Sequence, residues 1–171
     1  LVGRTALPAQ ERWASHLEQD NKVAKRLKNY LALKSTGGEL IYQAVDIGDL
    51  ASLQKVVTEA ESRWKAQLSG ILHLAGEGNL SYHWQVADKH WIAVETLSTF
   101  KTMLWPKVQG TWTLYQLIKN NPNAVFINFS SVNALFGGAT FGAYSAANSF
   151  LDGYSLYQQH HGHRNTYCLS W

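Results

Sequence analysis

The sequence predicts an α/β protein built on a doubly wound parallel sheet. Two observations carry this reading. Apolar runs of strand length alternate with segments of helical periodicity from Leu1 to Trp171. The strand runs are apolar without polar alternation, as expected of parallel strands covered on both faces by the connecting helices.

The elements follow in order. Leu1 to Arg4 reads as the tail of a strand, and Pro8 opens a helical region. Trp13, Leu17, Val23, Leu27, Tyr30 and Leu31 recur at mostly helical spacing until Gly37-Gly38 stop the run. ELIYQAV at 39–45 is a short buried strand. Asp49 caps the next helix, whose apolar face is Leu53, Val56, Val57, Ala60, Trp64 and Leu68. Gly70 precedes the strand ILHL at 71–74, which ends in Ala75-Gly76. A helical region spans about 91–119, with Pro106 predicted as a joint inside it. VFINF at 125–129 is the next strand. A helix beginning near Tyr144 runs to about His160, and TYCLSW at 166–171 is the last strand. These 171 residues suffice for one domain with a sizeable core, and the expectation is a single partial domain over 1–171, truncated at both ends.

Composition narrows the function class. The chain is 46% hydrophobic and 16% charged, with net charge +3, as in ordinary globular proteins. Seven tryptophans and eight tyrosines lie among apolar positions and read as core and interface aromatics rather than base-stacking groups. The basic cluster Lys22 to Lys34 reads as a solvated helix face, so nucleic acid is not an expected partner. No apolar stretch is long enough to span a bilayer, no membrane partner is expected, and no signal peptide is visible. The lone Cys168 reads as buried and inert, which suits a reducing, cytoplasmic location. His160, His161 and His163 match no firm zinc spacing, and metal binding is not expected. His83 and His90 have no assigned role. Asp152 and Glu95 show no paired-carboxylate pattern.

The chemistry concentrates in FINFSSVNALFGGATFGAYSAANSFL at 126–151. An apolar strand ends in a serine pair, and Tyr144 opens a helix one loop later. A serine at the carboxyl end of a parallel strand stands where such sheets bind ligands. Serine and tyrosine hydroxyls converging on one carbonyl oxygen supply the acid half of a carbonyl reduction. The phenol, with an ordinary pKa of about 10, needs a nearby ammonium to become a competent acid. Tyr144 and Asn148 are i, i+4 and share a helix face, so Asn148 can hold a water or help place a lysine. Arg4-Thr5 follow the first strand, where an arginine accommodates a 2′-phosphate, which favours NADPH over NADH.

Six segments together resemble the ketoreductase domains of modular polyketide synthases and hybrid nonribosomal peptide synthetases, within the short-chain dehydrogenase/reductase superfamily. They are LVGRTALP at 1–8, AVDIGD at 44–49, ILHLAG at 71–76, MLWPKVQGTWTL at 103–114, VFINFSSVNALFG at 125–137 and GAYSAANSFLDGY at 142–154. Most superfamily members carry Tyr-x-x-x-Lys. Here Asn148 occupies the lysine position and Lys107 lies upstream, an exchange similar to that of the synthase ketoreductases. The step from Ser131 to Tyr144 fits the family and selects Ser131 over Ser130.

The resemblance implies a Rossmann-like fold and a catalytic tetrad of Tyr144, Ser131, Lys107 and Asn148. Lys107, with Tyr144, would also hold the nicotinamide ribose. Asp46 and Ile47 resemble the family's adenine contact, and His73, Ala75 and Gly76 the element lining the cofactor. The implied reaction is NADPH-dependent reduction of a β-keto group on a carrier-bound thioester or, in a peptide synthetase, of an α-keto group. The implied partners are an acyl or peptidyl carrier domain with its phosphopantetheine thioester and neighbouring synthase domains. The glycine-rich phosphate loop and the substrate lid are expected to be missing from this sequence, leaving it a poor NADPH binder by itself. Two alternatives stand beside this reading: a noncatalytic reductase domain that scaffolds its module, and a free-standing short-chain dehydrogenase. Neither family marker of alcohol configuration is present. Glu77-Gly78-Asn79-Leu80 replaces a Leu-Asp-Asp, and the loop before Tyr144 holds Phe136 and Phe141 but no tryptophan.

Overall fold

The structure is a computed structural model that describes residues 1–76, 93, 95–138 and 140–171. The chain separates into two compact units, Leu1–Asp46 and Ile47–Trp171.

In the first unit β1 (Val2–Gly3) pairs in parallel with β2 (Gln43–Ala44). Between them lie a 3-10 turn (Gln10–Arg12), α1 (Trp13–Leu17) and α2 (Lys22–Lys34). The Asn21 side chain caps α2 by accepting from the Val23 and Ala24 amides, and α2 buries Ala24 and Leu27. β2 is shorter than the predicted 39–45, because its ladder reaches only as far as the short β1 offers partners. Tyr30 packs edge-on against both Trp13 and Tyr42, and the Tyr42 hydroxyl donates to the Thr5 carbonyl at 2.6 Å.

The second unit opens with Asp49, which caps α3 (Leu50–Trp64) by accepting from the Ser52 amide and hydroxyl. The helix stops at Trp64, where Lys65 turns left-handed (φ 50°), so Leu68 of the predicted apolar face lies beyond it. A three-stranded parallel sheet follows in the order β3 (Gly70–His73), β4 (Val125–Ser130), β5 (Thr166–Ser170). Between β3 and β4 come α4 (Leu97–Lys107) and α5 (Gln109–Ile118). The helical joint falls at Val108 rather than at the predicted Pro106, which sits within the last turn of α4. At the junction the Thr111 hydroxyl donates to the Lys107 carbonyl, and such back-bonding bends helices. A short α6 (Asn133–Phe136), absent from the sequence expectation, precedes α7 (Gly142–His160).

The register sorts the sheet's side chains onto two faces. Ile71 and His73 stand beside Phe126 and Asn128, which stand beside Thr166 and Cys168, with Ser130 beside Ser170. Phe126, Asn128 and Ser130 are buried, and α7 packs on β4 and β5 and against α4 and α6. The opposite face carries Leu72, Tyr167 and Leu169, all exposed. The expectation of burial is met on the α7 side of this sheet among the described residues. No helix among the described residues is long and apolar enough to cross a membrane.

Candidate active site

Lys107 ends α4, and its side chain is buried (7% exposed), with Nζ donating to the Phe129 carbonyl at 2.9 Å. That bond ties the helix to the strand that presents the serine pair. Burial is the main influence on the ammonium and holds its pKa below the ordinary lysine range, while Cys168 and Asp152 act the other way. Gly76, just past β3, faces the same side chain. A methyl group there would stand 3.4 Å from Lys107 Cε and 3.9 Å from Nζ, which places the lysine side chain directly against this stretch of backbone.

His73 closes β3, shortly before Gly76, and is 2% exposed. Neither ring nitrogen has a hydrogen-bond partner among the described residues. Burial, with the Lys107 charge alongside, pushes its pKa down to about 4, against a weaker opposing pull from the Pro106 backbone. His73 is therefore a neutral imidazole at physiological pH. The folded pKa lies below the ordinary 6.5, so the unfolded chain binds the proton more readily. The stability this confers is complete above pH 6.5 and is lost as pH falls through 6.5 towards about 4. The difference is worth about 3 kcal/mol. Urea titrations from pH 7 to 4 are expected to show a shallower pH dependence in His73→Gln than in the wild type. Equal slopes would assign the acid sensitivity elsewhere.

Ser130 and Ser131 diverge at the end of β4. Ser130 is buried and its hydroxyl donates to the Asn148 carbonyl at 3.2 Å. Ser131 Oγ accepts from the Asn133 amide at 3.3 Å, which leaves its own proton available. Tyr144 sits in the first turn of α7, its ring tilted against Phe141 at 6.2 Å. Its hydroxyl makes no hydrogen bond among the described residues. Asn148 is fully buried, with Nδ2 donating to the Tyr144 carbonyl at 2.8 Å and Oδ1 without a partner among the described residues. A buried amide oxygen without a donor is costly, and it marks a position for a water or a cation.

A family model described as KR domain matches residues 4–171. The chain belongs to the KR domain family. Over 172 residues it is 27% identical to 6-methylsalicylic acid synthase of Aspergillus terreus, covering 100% of this KR domain and 9% of that protein. It is 34% identical over 126 residues to polyketide synthase GfsE of Streptomyces halstedii, covering 74% of this chain and 3% of that one. The KR domain thus spans less than a tenth of either relative. It also superposes on a structure described as the adenylation, ketoreductase and pseudo Asub multidomain structure of a keto acid-selecting NRPS module. That match has a TM-score of 0.75 at 25% identity, over 99% of this chain and 13% of the other. The α/β fold expected from the sequence is shared with this superposed structure.

Within the KR domain the tetrad expected from sequence lies on adjoining elements. Lys107 reaches β4 through Phe129, β4 reaches α7 through Ser130 and Asn148, and Asn148 is bonded to Tyr144. Ser131 and Tyr144 are not bonded to each other or to Lys107 among the described residues. The residues expected to hold a cofactor divide between the two units. His73 and Gly76 adjoin Lys107 on the β3 side, with Ala75 just before Gly76 in the chain, whereas Arg4, Thr5 and Asp46 belong to the first unit. Ile47 is committed to packing: a methyl group on Gly110 would stand 2.3 Å from its Cδ1. Only its backbone remains for an adenine. His163 is buried with Nε2 3.0 Å from the Lys119 carbonyl, while His160 and His161 are not buried. Among the described residues no three His, Cys, Asp or Glu side chains gather as a metal cluster. His83, His90 and the 77–80 marker segment lie outside the described residues.

The sequence reading missed two groups. The Phe129 carbonyl carries no side-chain signature. Asp152, set aside for want of a paired carboxylate, is one turn beyond Asn148 on the same face of α7, a spacing that could have drawn notice.

Proposed function

We propose that this KR domain reduces a β-keto group on a carrier-bound thioester to a hydroxyl with NADPH, or an α-keto group where the parent is a peptide synthetase. The observation that carries the reading is the buried Lys107 ammonium, anchored to β4 and bordered by Gly76, beside a helix that presents Tyr144, whose hydroxyl has no partner among the described residues. Lysine is seldom buried without a functional or pairing reason.

The residues fit a pyridine nucleotide. Lys107 lies against Gly76 and bonds the Phe129 carbonyl, and its remaining ammonium protons would hold ribose hydroxyls together with Tyr144. His73 and Ala75 would line the same wall. Arg4 and Thr5 after β1 would meet the 2′-phosphate, with Asp46 and the Ile47 backbone at the adenine. The cofactor would supply hydride to the carbonyl carbon. Tyr144 would give its phenolic proton to the carbonyl oxygen while the Ser131 hydroxyl holds that oxygen in line. Lys107 would stabilise the phenolate left behind, and the Asn148 Oδ1 would accept from a water that returns the proton. The partners are a carrier domain bearing the phosphopantetheine thioester and the neighbouring synthase domains.

The test is nucleotide oxidation by the full-length protein with a β-ketoacyl thioester. NADPH is expected to be consumed at least about ten times faster than NADH, since the charged 2′-phosphate contact is worth a factor of that order. Arg4→Ala should erase the preference. No consumption of either nucleotide would refute the reductase reading, and equal rates would refute the NADPH assignment.

A further inference from the structure

A row of polar side chains crosses the sheet at one level. His73 of β3, Asn128 of β4 and Cys168 of β5 are register neighbours, so all three project from the same face. His73 is 2% exposed and Asn128 0%. On the β5 side the row is bonded. The Cys168 thiol donates to Asp152 Oδ1 at 3.1 Å, and burial first, then Asp152, push its pKa up to about 12. Asn128 Nδ2 donates to Ser155 Oγ of α7 at 2.9 Å. The β3 side differs. Asn128 Oδ1 and both ring nitrogens of His73 are buried without a hydrogen-bond partner among the described residues. The Pro106 carbonyl bears on the ring from α4 without bonding it.

His73 is neutral, so its ring presents one N–H donor and one bare nitrogen. The row thus holds a buried donor and two buried acceptors that nothing in the described protein satisfies, an arrangement that costs stability wherever it is left unmet. Turning the Asn128 amide over does not remove the problem. The Ser155 hydroxyl can pair with either end, and the other end is still without a partner.

We propose that His73 and Asn128 hold one internal water between them, which joins β3 to β4 through their side chains. Adjacent strands lie about 4.8 Å apart, so two in-register side chains stand within reach of a single bridging molecule. A water accepts from the imidazole N–H, donates to the amide oxygen and keeps a second proton for another acceptor. A metal ion does not suit the place, because among the described residues no three His, Cys, Asp or Glu side chains gather. The same two strands border Lys107. Gly76 follows β3 and lies against the lysine side chain, and the residue after Asn128 supplies the carbonyl that its ammonium bonds. The water therefore holds the spacing of those two supports.

Crystallography of the full-length protein, at a resolution that resolves ordered water, gives the direct test. A density peak is expected about 2.7–3.2 Å from both a His73 ring nitrogen and the Asn128 amide. A direct imidazole–amide hydrogen bond, or no density between the two side chains, overturns the proposal. The second test is the sign of a stability change in His73→Leu, which keeps the bulk and removes the ring nitrogens. With the water bound, this substitution strips it of a partner and strands the Asn128 amide, and the thermal midpoint should fall by about 3–6 °C. Ring nitrogens that no water serves would make the same change stabilising, so an unchanged or raised midpoint also overturns the proposal. If the variant does not fold, the wild-type density decides. Neither readout needs cofactor or substrate, so the result stands apart from the reductase reading.

Discussion

Tyr144→Phe is expected to lower kcat for ketoacyl thioester reduction by a factor of about 100 to 10,000, the range that positioned general acids supply. The substitution removes one oxygen atom and nothing else. That oxygen makes no hydrogen bond among the described residues, so its loss breaks no internal contact. The ring stays packed against Phe141, and the Asn148 bond to the Tyr144 carbonyl is a backbone interaction that phenylalanine preserves. Stability should therefore move by less than about 0.5 kcal/mol while turnover collapses, the normal tolerance of a site without a lost partner. Nucleotide affinity, read by fluorescence of bound NADPH, should weaken only a few-fold, because Lys107 would still hold the ribose. Undiminished turnover in this variant would remove Tyr144 from the reaction, and with it the assignment of roles to Ser131 and Lys107.

Phe126→Ala carries the largest expected cost in stability, about 3–5 kcal/mol. Phe126 has 0% exposure and sits in β4, the middle strand, with Ile71 and Thr166 as its register neighbours. Its truncation leaves a cavity under α7 that rigid strands on either side cannot close. Because β4 also holds the Phe129 carbonyl and delivers Ser131, the loss reaches the site through the fraction of molecules folded. Activity per folded molecule should remain near the wild-type value. Denaturant titration measures the first quantity, and turnover at low temperature corrected for folded fraction measures the second. A cost under about 1 kcal/mol would mean that the core is centred elsewhere.

The parts of the fold legible in the sequence were those whose signal is local. β3, β4, β5 and α7 fell where apolar runs and helical periodicity put them, because each element's own pattern determines what it buries. β2 was overextended, since its ends depend on how much of β1 is available for pairing. α6 was missed because four residues are too few to show a period, and Leu135 and Phe136 are exposed. The joint was assigned to Pro106 by its lack of an amide proton, yet the break falls at Val108, where the Thr111 hydroxyl bonds the Lys107 carbonyl. The site divides the same way. Tyr144, Ser131, Lys107 and Asn148 were expected from residue type together with the resemblance to the synthase ketoreductases, and they lie on adjoining elements. The carbonyl that anchors Lys107 could not be expected in this way, nor could the Asp152–Cys168 pair, which meets only because β5 lies beside β4 beneath α7.

The state of the single thiol has a bearing on how this protein can be handled. With a pKa of about 12 and a carboxylate already holding its proton, Cys168 offers alkylating reagents and peroxides almost no thiolate at neutral pH. A cysteine introduced at an exposed position such as Leu135 would capture a maleimide or spin label with little background. With a second introduced cysteine, label-to-label distances become measurable while the native thiol stays in place.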